Sequence, residues 1–374
     1  MTGQASPWKE DAPQSLLSRA KAKNTMIIEL DAPILVTGAA GFIGTKVVES
    51  LLDHGFRNLR CFARPSSNST KLEVSIRRRG DGAHLETIKG DLLSREDCLS
   101  ATKDVAVIYH LAAGRGTKSF PDAFLNSVVT TRNLLEAARR QQCLKRFVSI
   151  SSFSVYSNTG KPQGRLLDES CPVESRPERR GDAYCFAKVK QDEIVAEYGK
   201  KFGIPYVIVR PGVVYGPGNE AIHGRVGIGT FGLFLHLGGS NAIPFTYVDN
   251  CAEAIVLAGI KPGVNGETFN VVDDDLPSSR EFLRLYKKNV RRFRSVYVPH
   301  GLSYLLCWLW EKYSHWSEGQ LPPTFNRAAW HNYWKTTYYR NDKIKRCLGW
   351  TPKVSSVEAL ERYFDGCRRK VSHA

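Results

Sequence analysis

The chain is 374 residues long, and 42% of its residues are hydrophobic and 10% aromatic. This composition is typical of a globular protein with a large core and excludes a disordered or fibrous chain. Lysine and arginine outnumber aspartate and glutamate by 53 to 37, which gives a formal net charge of +16. The cations stand in small clusters outside any recognisable nucleic-acid-binding module, so we expect no nucleic-acid partner.

Nine cysteines are scattered along the chain, with no Cys-x-x-Cys pair and no histidine at metal-ligand spacing from a cysteine. This pattern predicts free thiols in a reducing compartment and no metal site. The first thirty residues hold no apolar stretch of signal-peptide length, and the longest apolar run, 304–310, is far shorter than the roughly 20 residues that span a bilayer. We therefore expect a cytoplasmic protein, with association to a membrane surface as the alternative.

The first half of the chain alternates short apolar runs with helical patterns. Strands are predicted at 33–37, 59–63, 84–88, 105–111, 147–151 and 206–210, and the last of them is expected to close the sheet. Helices are predicted directly after the first strand, at 121–140 and at 184–202. The polar, Pro/Gly-rich stretch 158–183 predicts a long loop. Repeated βα units favour an α/β fold with a doubly wound parallel sheet.

A glycine-rich turn, Thr37-Gly-Ala-Ala-Gly-Phe-Ile-Gly44, lies between the first predicted strand and helix. Small residues there let the backbone approach a pyrophosphate, which then lies at the N-terminus of the helix. The strand-loop-helix context favours a Rossmann domain that binds NAD(P) over a simple tight turn. The predicted contacts are Gly38, Ala40, Gly41, Phe42, Ile43 and Gly44.

We accordingly divide the chain into an N-terminal extension (1–31), an NAD(P)-binding Rossmann domain (32–216) and a substrate-binding domain (217–374). After Pro217 the alternation breaks down into glycine-rich turns, short apolar pieces and an aromatic segment at 297–350. This second domain is expected to be smaller, irregular and partly interleaved with the first. It should cover the carboxyl ends of the strands, where ligands of such sheets bind.

Two positions bear on which dinucleotide is bound. An acid about 20 residues beyond the glycine loop would bond the ribose 2′-hydroxyl of NAD, but Arg64 follows the second predicted strand instead, and an arginine suits the 2′-phosphate of NADP. NADP is therefore slightly favoured, with a solvated strand end as the alternative explanation of Arg64. Asp91 is placed to bond the adenine amino group, and a helix N-cap is the alternative role.

Tyr184 and Lys188 stand four residues apart near the start of a predicted helix, so both project from one face. A neighbouring ammonium stabilises a phenolate and lowers the tyrosine pKa, which makes the phenol an acid/base at neutral pH. Ser152, after the fifth predicted strand, is placed to bond the substrate oxygen and the phenol. A tyrosine and a lysine at this spacing are common by chance, so the pair alone does not establish the chemistry.

Further motifs follow one another in a recognisable order. They are TGAAGFIG at 37–44, GDL at 90–92, HLAA at 110–113, NSVVTTRNLLEAA at 126–138, SSFSVY at 151–156, YCFAK at 184–188, RPGVVYGPG at 210–218, YVDN at 247–250 and LGWTP at 348–352. With these motifs the chain resembles the extended short-chain dehydrogenase/reductase superfamily over nearly all of 32–365. The resemblance implies catalytic Ser152, Tyr184 and Lys188 with Asn126 in support. It adds to the cofactor contacts Leu92, Leu111, Ala112, Ala113, Pro211, Gly212 and Val213, beside Tyr184 and Lys188 themselves.

Departures from the family patterns bear on the substrate. The pattern of sugar-nucleotide 4,6-dehydratases has an Asp-Glu pair where this chain has Phe153-Ser154. The pattern of nucleotide-sugar epimerases has an asparagine where this chain has Gly212-Val213. The stretch 241–250 instead resembles the 3β-hydroxysteroid dehydrogenase-like branch. We therefore expect hydride transfer to or from a secondary alcohol or ketone of a hydrophobic, steroid-like substrate. The alternative is a nucleotide-sugar epimerase with tightly bound NAD, for which Arg225, Arg292 or Arg327 would bind the diphosphate.

The segment 279–294 combines apolar residues near helical spacing with cations, five of which stand at 287, 288, 291, 292 and 294. Such a helix rests on a membrane surface or, as the favoured alternative, packs against the protein. Most aromatic residues of 302–339 are expected in the core. The expected partners are a small-molecule substrate and a second copy of the chain in a homodimer.

Overall fold

The computed structural model describes residues 26–79, 82–114, 119–157, 164–317, 320 and 325–372. Its strands, in chain order, are β1 (Ile34–Thr37), β2 (Asn58–Ala63), β3 (His84–Lys89), β4 (Val107–His110), β5 (Arg146–Ile150), β6 (Arg165–Leu167), β7 (Tyr206–Pro211), β8 (Val213–Tyr215), β9 (Gly227–Thr230), β10 (Leu233–His236), β11 (Phe245–Tyr247), β12 (Thr268–Val271), β13 (Ser295–Tyr297) and β14 (Thr337–Tyr339). Seven of them form one parallel sheet in the order β12-β7-β5-β4-β1-β2-β3.

The helices lie mainly on the two faces of this sheet. In chain order they are α1 (Phe42–Asp53), α2 (Thr70–Arg79), α3 (Arg95–Thr102), α4 (Phe120–Ala123), α5 (Thr130–Ala138), α6 (Ala183–Phe202), α7 (Val248–Ile260), α8 (Ser279–Asn289), α9 (His300–Trp316), α10 (Arg327–Tyr333), α11 (Asp342–Leu348) and α12 (Ser356–Ser372). A π-helical turn, Phe124–Val129, joins α4 to α5 without a break.

The central strands are fully buried, and apolar helix faces cover both sides of the sheet. Helices α1, α7 and α11 pack on one face, and α3, α5 and α6 pack on the other. The predicted doubly wound parallel sheet of Rossmann type is thus confirmed. Strand order reverses between β1 and β4, so a crevice forms at their carboxyl ends, which is the usual ligand site of such sheets.

The sheet extends further than the sequence predicted. Strand β7 does not close it, because β12 pairs with β7 in parallel, with Phe269 opposite Val209. Helix α7 packs against α1 and the sheet, and Trp350 is fully buried in the same core. Residues 248–271 and the segment around 344–350 therefore belong structurally to the Rossmann layer, although we assigned them to the second domain.

The remainder of the C-terminal half forms smaller units at the carboxyl edge of the sheet. Strands β13, β10 and β9 form one small sheet, while β11 pairs with β8 and β14 pairs with β6. Helix α8 buries Phe282, Leu283 and Tyr286 against α12. The amphipathic segment 279–294 thus packs its apolar side inward, as the favoured alternative for this segment required.

Other predicted segments differ in detail. Residues 1–25 of the expected N-terminal extension lie outside the described residues, but Ile27 donates its amide to the Ile260 carbonyl and Ile28 is buried. The loop 158–183 contains β6 and a short 3₁₀ turn, Pro177–Arg180. All nine cysteines are free thiols. Within the described part of the chain, every helix is too short or too polar to cross a bilayer.

Candidate active site

The glycine loop folds back tightly at the carboxyl end of β1. Gly38 has a φ of +71°, and a Cβ on it would lie 2.9 Å from the backbone nitrogen of Ala112. A Cβ on Gly44 would lie 2.1 Å from the Gly38 carbonyl oxygen. Glycine is favoured at both positions, because a side chain on Gly38 would collide with the Ala112 backbone and one on Gly44 would push α1 away from the loop.

Helix α1 begins directly after this loop and has no side-chain cap among the described residues. Its N-cap is Gly41, which has no side chain to accept the first N–H groups. These amides and the positive end of the helix dipole form an anion site suited to a pyrophosphate. The residues of the loop therefore fit the dinucleotide that the sequence predicted.

A cavity of about 500 Å³ opens beside this loop. The predicted contacts that line it are Gly38, Ala40, Gly41, Arg64, Asp91, Leu92, Leu111, Ala112 and Ala113, and Asn126, predicted to support catalysis, lines it too. Six further residues line it that were not predicted from the sequence: Phe62, Ala63, Ser66, Ser67, Asn68 and Thr130. The polar run 66–68, directly after the second strand, was the available signal for three of them.

Other predicted contacts have different surroundings. Phe42 and Ile43 pack against hydrophobic clusters, and Gly44 contacts the Gly38 backbone. Asp91 is not a helix N-cap, because Ser94 caps α3 through the Asp97 amide. The Asp91 carboxylate instead accepts a hydrogen bond from the Leu93 amide at 2.9 Å and stays exposed at the cavity.

Tyr184 and Lys188 lie on the first turns of α6. This helix begins after Gly181, whose φ is +69°, and its N-cap Asp182 accepts from the amides of Tyr184 and Cys185. The Lys188 ammonium donates to the Ile150 carbonyl at 2.6 Å and to the Gln191 side-chain oxygen at 2.9 Å. It lies 6.0 Å from the centre of the Tyr184 ring.

Burial sets the protonation of both residues. Removal from water lowers the pKa of Lys188 to about 8, and the charge of Asp192 partly opposes this shift. Burial raises the pKa of Tyr184 to about 12, against the hydrogen bond from Ser152. The prediction that Lys188 lowers the pKa of Tyr184 is therefore wrong, because desolvation raises this pKa more than the hydrogen bond from Ser152 lowers it.

Lys188 is the end of a buried chain of hydrogen bonds that reaches the glycine loop. Gln191 donates to the Thr131 hydroxyl at 2.8 Å, and Thr131 and Thr37 each lie 2.8 Å from a ring nitrogen of His110. Burial lowers the pKa of His110 to about 3, so its ring is neutral. The chain fixes the lysine relative to the strand that carries the glycine loop.

The hydrogen bonds of the Asn126 side chain to Asp122 lie outside the hydrogen-bonded series from Lys188 to Thr37. Asn126 lies in the π-helical turn, and its amide donates to the backbone and side-chain oxygens of Asp122 at 3.0 and 3.1 Å. Its position on the wall of the dinucleotide cavity suits a cofactor contact more directly than a part in proton transfer.

A second cavity, of about 150 Å³, opens beside Tyr184, and we call it the reaction pocket. It is lined by Ser152, Phe153, Ser154, Arg180, Tyr184, Gly212, Val213, His223, Arg225, Pro244, Asn332 and Tyr333. Of the three cations considered for a diphosphate, only Arg225 lines it; Arg327 forms a two-point ion pair with Glu311, and Arg292 is exposed elsewhere. Gly212 and Val213 were predicted as cofactor contacts and lie here.

Fold and site together define a nicotinamide-dinucleotide-dependent enzyme. The model of the NAD dependent epimerase/dehydratase family matches residues 34–271, which is more than half of the chain. The chain therefore belongs to this family, within the extended short-chain dehydrogenase/reductase superfamily. The resemblance drawn from its motifs is confirmed.

Individual relatives have different activities. An uncharacterized UDP-glucose epimerase, YtcB, of Bacillus subtilis (strain 168) is 32% identical over 64% of this chain and 76% of its own length. Sterol-4-alpha-carboxylate 3-dehydrogenase, decarboxylating, of Mus musculus is 23% identical over 87% of this chain and 88% of its own. The crystal structure of UDP-glucuronic acid 4-epimerase from Bacillus cereus, 24% identical, has a TM-score of 0.67 and covers 90% of this chain and 99% of its own. This likeness shows a shared fold.

Proposed function

We propose that the protein is an NAD(P)-dependent oxidoreductase that transfers hydride to or from a secondary alcohol or ketone of a hydrophobic, steroid-like substrate. The main support for this chemistry is that Ser152 and Tyr184 both line the reaction pocket, while the buried Lys188 ammonium lies one turn further along α6. A phenol, a hydroxyl and an ammonium in this arrangement can bind and deprotonate an alcohol.

In the oxidation direction, Ser152 orients the substrate oxygen and Tyr184, as phenolate, removes the hydroxyl proton. A bound nicotinamide would supply the hydride acceptor, at its C4, for the hydrogen of the alcohol carbon. Lys188 stabilises the phenolate, since its charge favours the deprotonated form. Two of its three N–H groups donate to Ile150 and Gln191, which leaves the third for a ribose hydroxyl.

Gly38, Gly41 and the first amides of α1 would hold the pyrophosphate, and Ala112 and Ala113 would lie against a ribose. The end of β2 would hold the adenosine ribose. Arg64 is exposed there beside Ser66, Ser67 and Asn68, and all four line the dinucleotide cavity. A cation and short polar side chains suit a 2′-phosphate, so we propose a preference for NADP over NAD.

Two observations support a hydrophobic substrate: apolar side chains in the pocket wall, and similarity to a steroid dehydrogenase over most of the chain. Phe153, Val213, Pro244 and Tyr333 supply apolar surface to the reaction pocket. A 3-beta-hydroxysteroid dehydrogenase of Mycolicibacterium neoaurum is 26% identical over 87% of this chain and 89% of its own length, so that similarity includes the substrate-binding half.

A second candidate, a nucleotide-sugar epimerase with tightly bound NAD, is supported by the polar side of the same pocket. Arg180 and Arg225 line it, and burial together with the charge of Arg225 lowers the pKa of His223 to about 3. The Asn332 amide nitrogen and the Ser154 hydroxyl are buried there without a hydrogen-bond partner in the described part of the chain. Unpaired buried polar atoms are costly unless a ligand satisfies them.

Retention of the dinucleotide distinguishes the two functions. An epimerase must keep its cofactor through a full cycle, whereas a dehydrogenase releases it at each turnover. We would denature the purified protein, quantify the released nucleotide, and then assay steroid-like alcohols and UDP-sugars for absorbance change at the band of the reduced nicotinamide. We expect freely exchanging cofactor and net oxidation or reduction of an apolar substrate. Stoichiometric bound NAD, with UDP-sugar interconversion that needs no added cofactor, would establish the epimerase instead.

A further inference from the structure

Helix α9 carries an apolar stripe that faces away from the protein. Leu302, Leu305, Leu306, Leu309, Tyr313 and Trp316 fall within an arc of about 100° of the helix. The first five are between 47% and 51% exposed, and Trp316 is 77% exposed. The opposite side, with Ser303, Cys307 and Ser314, is the buried one. Contiguous exposed apolar surface of this kind marks an interaction site.

The hairpin between β9 and β10 extends the same surface. Its two turn residues, Phe231 and Gly232, have φ values of +45° and +74°. Asparagine and glycine are the residues that such a turn favours, and a bulky side chain at positive φ is strained. Phe231 is nevertheless fully exposed, so no contact with the described residues compensates for the strain.

An apolar groove of about 540 Å³ connects these two elements. It runs between α9 and the hairpin, with Gly229 and Thr230 on one side and Leu306, Leu309 and Tyr313 on the other. Trp334 lines this groove, while the preceding Tyr333 lines the reaction pocket. The adjacent residues Tyr333 and Trp334 therefore separate the reaction pocket from the exposed apolar groove.

Cations border the surface on the far side of the hairpin. The segment 287–294 contains five lysines and arginines and no acidic residue. Arg291 and Arg294 line a hollow together with Gly229, Thr230 and Phe231. The acidic side chain at that hollow, Glu220, lies 3.5 Å from Lys370. Among the described residues Arg291 and Arg294 have no ion pair, and an apolar surface bordered by such cations, with tryptophan and tyrosine on it, matches the boundary of an anionic bilayer.

We propose that α9 and the Phe231 hairpin dock the protein peripherally on an anionic membrane surface, with Arg291 and Arg294 facing the lipid headgroups. The apolar side chains enter the boundary between headgroups and acyl chains, where Phe231 gains the contacts that it lacks in the free protein. This proposal rests on the surface alone and holds for either candidate substrate.

The test is co-sedimentation of the full chain with phosphatidylcholine vesicles, with and without about 30% phosphatidylserine. We expect binding to the anionic vesicles that weakens with salt. Reversing both Arg291 and Arg294 to glutamate should weaken it at least about 25-fold, since each cation near the surface contributes about fivefold. Arg77→Glu with Arg78→Glu, the same charge change on the exposed side of α2, should weaken it less.

The apolar part is tested by Leu306→Ser with Leu309→Ser, which should weaken vesicle binding more than tenfold. Val357→Ser, at a side chain 67% exposed on α12, is the matched control and should have no effect. If the leucine variant does not fold, Trp316→Ser alone should still weaken binding. Absence of vesicle binding, or equal losses in the controls, would overturn the proposal. So would a dimer in solution that the leucine substitutions dissociate, since a second copy would then cover the face.

Discussion

Replacing Lys188 by methionine should abolish turnover without destabilising the cofactor-free protein at neutral pH. Lys188 is 4% exposed, and burial lowers its pKa from 10.5 to about 8. This shift means that holding the charged form costs about 3 kcal/mol. Methionine removes that cost but leaves the Ile150 carbonyl and the Gln191 oxygen without a donor, which costs about 1–3 kcal/mol. The free energy of unfolding should therefore change by less than about 2 kcal/mol.

The difference in stability between the two proteins should depend on pH. Unfolded Lys188 keeps its proton up to a pKa of 10.5, while the folded protein loses it near a pKa of about 8. Between these values the unfolded state binds more protons, so the wild type gains stability relative to the variant as pH rises. From about pH 7 to about pH 10 the gain should reach about 2–3 kcal/mol.

Urea unfolding followed by circular dichroism at both pH values measures this difference. Lys190→Met is the matched control, because Lys190 lies on the same helix with its side chain 37% exposed and paired to Glu193. It should show little of the pH dependence. A Lys188→Met variant whose stability relative to wild type is the same at both pH values would refute the assignment of Lys188 as a buried, strained ammonium.

Three further substitutions test the cofactor site and its support. Gly44→Ala places a Cβ 2.1 Å from the Gly38 carbonyl oxygen and should weaken dinucleotide binding at least about 100-fold by calorimetric titration. The control Gly301→Ala, with open space around it, should leave the affinity unchanged. Equal affinities of the two variants would contradict pyrophosphate binding at the glycine loop. Arg64→Glu should weaken NADP(H) far more than NAD(H) in fluorescence titrations, and parallel losses would remove Arg64 from ribose recognition. Gln191→Leu deletes one of the two acceptors of Lys188 and should lower kcat about tenfold and shift its pH profile, and an unchanged profile would show that Gln191 only packs.

The sequence was informative wherever one local pattern determined both structure and chemistry. The apolar strands, the glycine loop and the Tyr184-Lys188 spacing each depend on neighbouring residues, and each lies where the pattern indicated. Helices α2 and α3 were missed because their sequences are polar and short. Strand β12 was missed because four residues beyond a glycine-rich turn carry too little periodicity, and only pairing with β7 defines it.

The reaction pocket could not be predicted in the same way. Arg180, His223 and Asn332 come from three separated segments, and their spacing in the sequence does not predict that they line one pocket. The direction of the Tyr184 pKa also depended on burial, which the four-residue spacing does not reveal. The outward face of α9 is a similar case: its aromatic residues were expected in the core, and only the packing of Ser303 and Cys307 shows which side is buried.

We propose that Tyr184 performs the proton transfer that accompanies hydride transfer. The most direct measurement is the single-turnover rate of Tyr184→Phe, followed at the absorbance of the reduced nicotinamide with a substrate found among the steroid-like alcohols and UDP-sugars. Cofactor affinity is measured in parallel. Only the phenol oxygen is lost, so we predict a rate reduced about 10²–10⁴-fold with cofactor affinity nearly unchanged. A variant that keeps more than a small fraction of the wild-type rate would remove Tyr184 from the mechanism.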